Sequence, residues 1–189
     1  MAQRGVRVSA GVLKGRSIAV PRGVRPTESR VREALFDILG PALRGKSFLD
    51  LFAGSGAVGL EALSRGAGTV LQVDGDPRTV EHLSATYRQL ALADIDSYRL
   101  DLPDQIARLA PRRFDWVFAD PPYDFPHYAQ LVRALPALLA PDGISVVEHE
   151  SGLAPPDGSA TFGLVKSRRY GGSVLSFYEA SSSSSERLR

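Results

Sequence analysis

The sequence predicts an α/β fold: an open, mostly parallel sheet with helices on both faces, preceded by a small hairpin-and-helix extension. Two observations carry this. From Ser47 onward, short apolar runs alternate with stretches of helical spacing, the pattern of parallel strands joined by crossover helices. Gly54, Gly56 and Gly59 follow directly on the first such run, at the kind of strand-to-helix turn where open α/β sheets take their ligands. The 189 residues fit one domain over 1–180, an extension over 1–40 leading into a core over 41–180. A chain of this length buries roughly 70% of the surface its unfolded form exposes.

Taken in order, residues 6–20 (VRVSAGVLKGRSIAV) alternate well enough for a short hairpin. The segment RPTESRVREALFDIL, 25–39, then puts Val31, Ala34, Leu35, Ile38 and Leu39 on one helical stripe. Strands are expected near 47–52, 69–74, 96–100, 114–119 and 144–149, and helices near 57–65, 77–91, 103–110 and 127–139. The second of these helices has a defined start, because Asp76 can cap it and Pro77 fits the first helical position, where a missing N–H costs nothing. Residues 160–180 read as two strands around Gly171 and Gly172, closing the sheet with an antiparallel hairpin. The tail SSSSSERLR, 181–189, is low in complexity and is expected to be disordered.

Composition narrows the chemistry. The absence of cysteine excludes disulfides, thiolate metal sites and cysteine nucleophiles, and suits a reducing cytoplasm. His82, His127 and His149 are scattered without ligand spacing, so no metal is expected. No run approaches the ~20 apolar residues of a membrane span, and the amino terminus lacks an apolar leader segment. Charge is unevenly spread. Residues 1–32 carry eight basic side chains (Arg4, Arg7, Lys14, Arg16, Arg22, Arg25, Arg30 and Arg32) against Glu28 alone, whereas the remainder carries 15 basic and 20 acidic groups. A folded basic element of this kind reads as a binder of polyanions, because clustered cations neutralise phosphates and release counterions.

The first chemical motif is FLDLFAGSGAVGLEAL, 48–63. By spacing alone its three glycines satisfy a dinucleotide fingerprint, with Asp74 at the distance expected for a carboxylate on a ribose hydroxyl. The acid inside the strand separates the candidate cofactors. Asp50 lies four residues before Gly54, where the two negative charges of a pyrophosphate make a carboxylate unwelcome. S-adenosylmethionine carries an ammonium and a sulfonium, and so accounts for Asp50 better than NAD does. Asp101, just past the third strand, is placed to accept from an adenine amino group; acids at strand ends also serve as helix caps.

The second motif is WVFADPPYDF, 116–125. An apolar run leads into Asp120, which marks the carboxyl end of a buried fourth strand. An exocyclic base amine is a poor nucleophile because its lone pair is delocalised into the ring. The Asp120 carboxylate and the Pro121 carbonyl can accept its two N–H groups and favour the geometry that frees the lone pair. Pro121 and Pro122 stiffen the backbone, and Tyr123 would stack on an extruded base. These four residues are the candidate catalytic group.

The combination of DLFAGSG at 50–56 with DPPY at 120–123 resembles the amino-group methyltransferases. The preceding RPTESRVREALF, 25–36, narrows the resemblance to the RsmD family, which methylates the N2 of a guanine in bacterial 16S ribosomal RNA. The likeness runs from about Val8 to Tyr178. It implies a Rossmann-like, S-adenosylmethionine-dependent methyltransferase fold with a seven-stranded sheet and a reversed last strand. By position, it implies that Asp50, Phe52, Gly54 and Gly56 line the methionine end of the cofactor, that Asp74 holds the ribose, and that Asp101 and Leu102 hold the adenine. The family often has glutamate where this chain has Asp74, and Asp76 is a rival for that role. The Arg25-Pro26-Thr27 turn is implied to fold over the methionine end, with Thr27 among the cofactor residues; a capped helix start is its other reading.

The expected partner is 16S rRNA or an assembling small ribosomal subunit, acted on by a monomer. Lys14, Arg16, Arg22, Arg25, Arg30, Arg168, Arg169 and Tyr170 are the expected RNA-binding residues. Three rivals stand beside this reading: an enzyme acting on the N6 amine of adenine in DNA, a cofactor- or RNA-binding module without turnover, and, more distantly, a dinucleotide oxidoreductase.

Overall fold

The computed structural model describes residues 5–21, 29–154 and 158–180. Its chain forms two compact units, Met1–Leu100 and Asp101–Arg189. In the first unit, strands β1 (Gly5–Arg7) and β2 (Ser17–Ala19) make the expected antiparallel hairpin, with Val6 opposite Ile18. Helix α1 (Ser29–Leu39) follows. Its buried face is Val31, Arg32, Leu35, Phe36 and Leu39, while Ala34 and Ile38 are half-buried. The stripe is thus turned slightly from the expected one, toward Phe36, whose ring meets Phe48 at 6.0 Å.

Three strands of the first unit run parallel: β3 (Ser47–Leu51), β4 (Thr69–Asp74) and β5 (Ile95–Arg99), with β4 in the middle. Helix α2 (Ala57–Ser64) joins β3 to β4, and α3 (Pro77–Gln89) joins β4 to β5. The start of α3 is as expected: the Asp76 side chain accepts from the Arg78 N–H at 2.8 Å, and Pro77 opens the first turn. Replacing Asp76 with alanine is expected to cost about 1 kcal/mol, measured as a shift in chemical denaturation.

In the second unit, β6 (Phe114–Ala119) pairs parallel with β7 (Leu139–Glu150), β7 antiparallel with β10 (Ser173–Ala180), and β10 antiparallel with β9 (Phe162–Tyr170). The expected reversed hairpin around Gly171 and Gly172 is therefore present. A two-residue strand β8 (Gly158–Ser159) on the outer edge of β9 is an addition to the seven long strands of the two units.

Two expected helices are corrected. Over 103–110 there is only a 3-10 turn, Ile106–Leu109. Asp101 and Gln105 close a local turn, and Pro103 and Pro111 bracket a stretch too short to repay helix nucleation. Over 127–139 the α-helix is α4 (Tyr128–Ala134), which tightens to a 3-10 turn at Leu135–Leu138 where Pro136 removes a donor. Beyond it β7 begins at Leu139, earlier than the apolar run suggested.

Candidate functional site

In the first unit, β3 ends in a loop whose backbone is set by Phe52, Gly54 and Gly56, all at positive φ (63°, 52° and 79°). Gly56 caps α2 from the left-handed region without a side-chain hydrogen bond. Packing crowds two of the motif's glycines. A Cβ on Gly56 would meet Leu83 Cδ2 at 2.4 Å, and one on Gly59 would meet Gln72 Cδ at 2.5 Å. Gly56 and Gly59 thus serve the approach of α2 to β4 and α3, in addition to any ligand.

Asp50 is buried, 1% exposed, and its Oδ2 accepts from the Gly59 N–H at 3.1 Å and from the Gln72 amide. Gln72 in turn accepts from the Tyr87 hydroxyl. Burial foremost, then the Asp50 and Asp96 charges, pushes that hydroxyl well above the ordinary tyrosine range, so it stays a donor. Asp50 therefore lies beneath the glycine loop as the anchor of a buried polar chain. Asp74 is half-buried at the end of β4, and its two oxygens accept from the Gly54 and Asp76 N–H groups, each at 2.9 Å. Each carboxylate oxygen has about two lone-pair sites, so capacity for further donors remains at Asp74. Asp76 is exposed and caps α3.

In the second unit, Asp101 is exposed and accepts from the Gln105 amide at 3.2 Å, and Leu102 beside it is half-buried. Asp120 is half-buried at the carboxyl end of β6; Pro121 is buried, Pro122 is exposed and Tyr123 is 46% exposed. The Phe125 N–H donates to the Pro122 carbonyl at 2.9 Å and closes the segment into a turn. Phe125 packs edge-on against Tyr128 at 5.7 Å, and the Tyr128 hydroxyl donates to the Glu148 carbonyl at 3.2 Å. Burial first, then the charges of Asp120, Glu148, Glu150 and Tyr123, raises that hydroxyl above its ordinary range. The DPPY segment is thus held to β7 through Tyr128, a residue the sequence reading passed over.

Of the expected RNA-binding side chains, Lys14, Arg16 and Arg30 in the first unit are exposed. So are Arg168 and Arg169 in the second, with Tyr170 half-buried. Arg22, Arg25 and Thr27 lie outside the described residues. Lys166 belongs to the same strand as Arg168 and shares its face; partial burial and the Arg168 charge hold its ammonium below the ordinary lysine range. The period-two spacing of Lys166, Arg168 and Tyr170 was the signal for it. Among the described residues, no cluster of His, Asp or Glu is arranged to hold a metal ion, and no helix is long and apolar enough to cross a membrane.

Residues 6–179 match the family described as "Conserved hypothetical protein 95". A Haemophilus influenzae protein named Ribosomal RNA small subunit methyltransferase D is 36% identical over 154 residues, which cover 77% of this chain and 79% of that protein. The chain belongs to the RsmD family. The solved structure of yhhF from Escherichia coli, provisionally named a methyltransferase, superposes with a TM-score of 0.82 at 30% identity, covering 95% of this chain and all (100%) of that one. That of SMU.776, crystallised with SAH, has a TM-score of 0.64 at 19% identity, covering 79% of this chain and 48% of that one. The fold of this RsmD-family chain is accordingly the Rossmann-like α/β fold of methyltransferases, as its strand and helix order implied.

Proposed function

We propose that this protein transfers a methyl group from S-adenosylmethionine to the exocyclic N2 amine of a guanine in 16S rRNA of the small ribosomal subunit. Ribosomal RNA methylation is the activity in the name of the Haemophilus relative. The single observation that carries the reading to a base amine is the DPPY segment: Asp120 at the carboxyl end of β6, a rigid proline pair, and a Tyr123 ring left 46% exposed.

The acceptors seen in each unit support the cofactor reading. Asp74, with lone pairs left over from Gly54 and Asp76, takes the ribose hydroxyls, and Asp101 with Leu102 takes the adenine. Asp50 acts from beneath the loop that Phe52, Gly54 and Gly56 form, its negative charge favouring a cationic ligand above. Thr27 is assigned to the same end. When bound, S-adenosylmethionine supplies a methyl on a sulfonium leaving group. Asp120 and the Pro121 carbonyl hold the two amine N–H groups, Pro122 keeps the turn rigid, and Tyr123 stacks on the extruded base. Lys14, Arg16, Arg22, Arg25, Arg30, Arg168, Arg169 and Tyr170 hold the RNA by its phosphates and bases. The protein acts as a cytoplasmic monomer, with residues 1–180 as one methyltransferase domain and without a metal.

The test is transfer from labelled S-adenosylmethionine to unmethylated small ribosomal subunits, followed by nucleoside analysis. N2-methylguanosine in the 16S rRNA is the expected product. Label on another nucleoside, or none, would sink the guanine assignment.

A further inference from the structure

The end of β7 places a second acid beside the DPPY segment. Strands β6 and β7 are parallel with Ala119 opposite Val147, so the next step of the register sets Asp120 beside Glu148. Neighbouring strands lie about 4.8 Å apart, and matched positions of parallel strands project to the same face. Both acids stand at the carboxyl ends of their strands, where open α/β sheets bind ligands. Glu148 is 3% exposed, and its neighbours along β7 are Ser145, Val146, Val147 and His149, all buried. Taking a carboxylate out of water is costly, so one at this position calls for donors to offset it. Tyr128 connects the two groups: its hydroxyl donates to the Glu148 carbonyl, and its ring carries Phe125 of the DPPY turn.

Guanine explains a pair of acceptors better than any other base. Its Watson–Crick edge presents two adjacent donors, the N2 amine and N1–H. Adenine and cytosine also carry an exocyclic amine, but the ring nitrogen beside it is an acceptor, whose lone pair would face a carboxylate. We infer that Glu148 is a specificity-determining residue that accepts the N1–H of the target guanine while Asp120 holds its N2 amine. This rests on the proposed guanine activity and deepens it: Asp120 and the prolines would serve any base amine, and Glu148 selects guanine.

The experiment compares small subunits reconstituted with guanosine or with 2-aminopurine riboside at the modified position, once nucleoside mapping has located it. The analogue keeps the 2-amine, replaces N1–H by a bare nitrogen and lacks the 6-oxygen, so the Glu148→Gln variant is what ties a preference to N1. The wild-type protein is expected to prefer guanosine by at least about 100-fold in kcat/KM, since a site built for an N–H rejects a ligand that lacks it. Glu148→Gln, whose amide can donate to the bare nitrogen, should lose activity on guanosine and bring the two substrates within about 10-fold. Equal kcat/KM for the two substrates with the wild type overturns the inference without any variant. An unchanged ratio in a folded Glu148→Gln overturns it as well. A wild type that uses both substrates equally still leaves N2 methylation standing, whereas one that transfers no methyl to guanosine removes both the activity and the inference built on it.

Discussion

Replacing Glu61 with alanine is expected to destabilise the protein by about 3–5 kcal/mol, the usual result of removing one partner of a buried ion pair and stranding the other. Glu61 lies on α2 and is fully buried, 0% exposed. Its carboxylate accepts from the Ser9 N–H at 2.8 Å, the Ser9 hydroxyl at 2.6 Å, the Ala10 N–H at 3.1 Å and Arg65 Nε at 2.9 Å. It also faces the Arg32 guanidinium, 2% exposed, at 3.7 Å. Alanine would leave that guanidinium without its counter-charge and two backbone donors without acceptors. Ser64, one turn further along α2, continues the same seam: its hydroxyl donates to the Ala10 carbonyl and accepts from the Leu13 N–H. Gly11 lies so close that a Cβ there would fall 1.7 Å from the Ser64 carbonyl oxygen. The basic hairpin is thereby fixed to the helix that follows the glycine loop.

Glu61 also gives this seam a pH dependence. Burial alone would raise its carboxyl, but hydrogen bonds from Ser9 and Arg65, with the Arg65 charge, outweigh it and hold the group below the ordinary glutamate range. A depressed folded value means stability that is full above the ordinary glutamate range and is lost as pH falls through the folded value. Urea denaturation should therefore show the wild type losing part of its advantage over Glu61→Ala in acid. A gap below about 1 kcal/mol at neutral pH, or one independent of pH, would refute the latch.

Local signals made most of the fold legible. Asp76 and Pro77 marked the start of α3 because capping is decided within four residues. The apolar runs found β3, β4 and β6 because strands buried on both faces read as near-continuous hydrophobic stretches, here interrupted by Asp50, Gln72 and Asp115. Where a proline and a length limit competed with helical spacing, over 103–110, spacing lost. The candidate chemistry is proposed from contiguous motifs, Gly54–Gly56 and Asp120–Tyr123. What was not legible is where distant residues meet. Nothing near Gln72 announces that it bridges Asp50 and Tyr87, and nothing near Val147 announces that it pairs with Ala119, the last residue before the DPPY segment. Nothing near Glu61 in the sequence announces the Ser9 and Ala10 donors it accepts from, since they lie about fifty residues away (|i−j| = 52 and 51).

Replacing Asp120 with alanine should lower kcat by about 10²–10⁴-fold, the range that a positioned acid–base group contributes, while affinity for S-adenosylmethionine stays at the wild-type level. The second half of that expectation follows from where the residue sits: Asp120 belongs to the DPPY turn at the end of β6, and the acceptors assigned to the cofactor are others, Asp74 and Asp101. Two roles are open to the carboxylate, and asparagine separates them. The Asp120→Asn side chain would keep one oxygen to accept an amine N–H but could not take up a proton. If Asp120 only orients the amine, Asp120→Asn should retain far more activity than Asp120→Ala. If it also receives the proton released on methylation, the two variants should be equally slow. A fully active Asp120→Ala would remove the residue from the chemistry altogether, and the amine would then have to be held by the Pro121 carbonyl without help from a side chain.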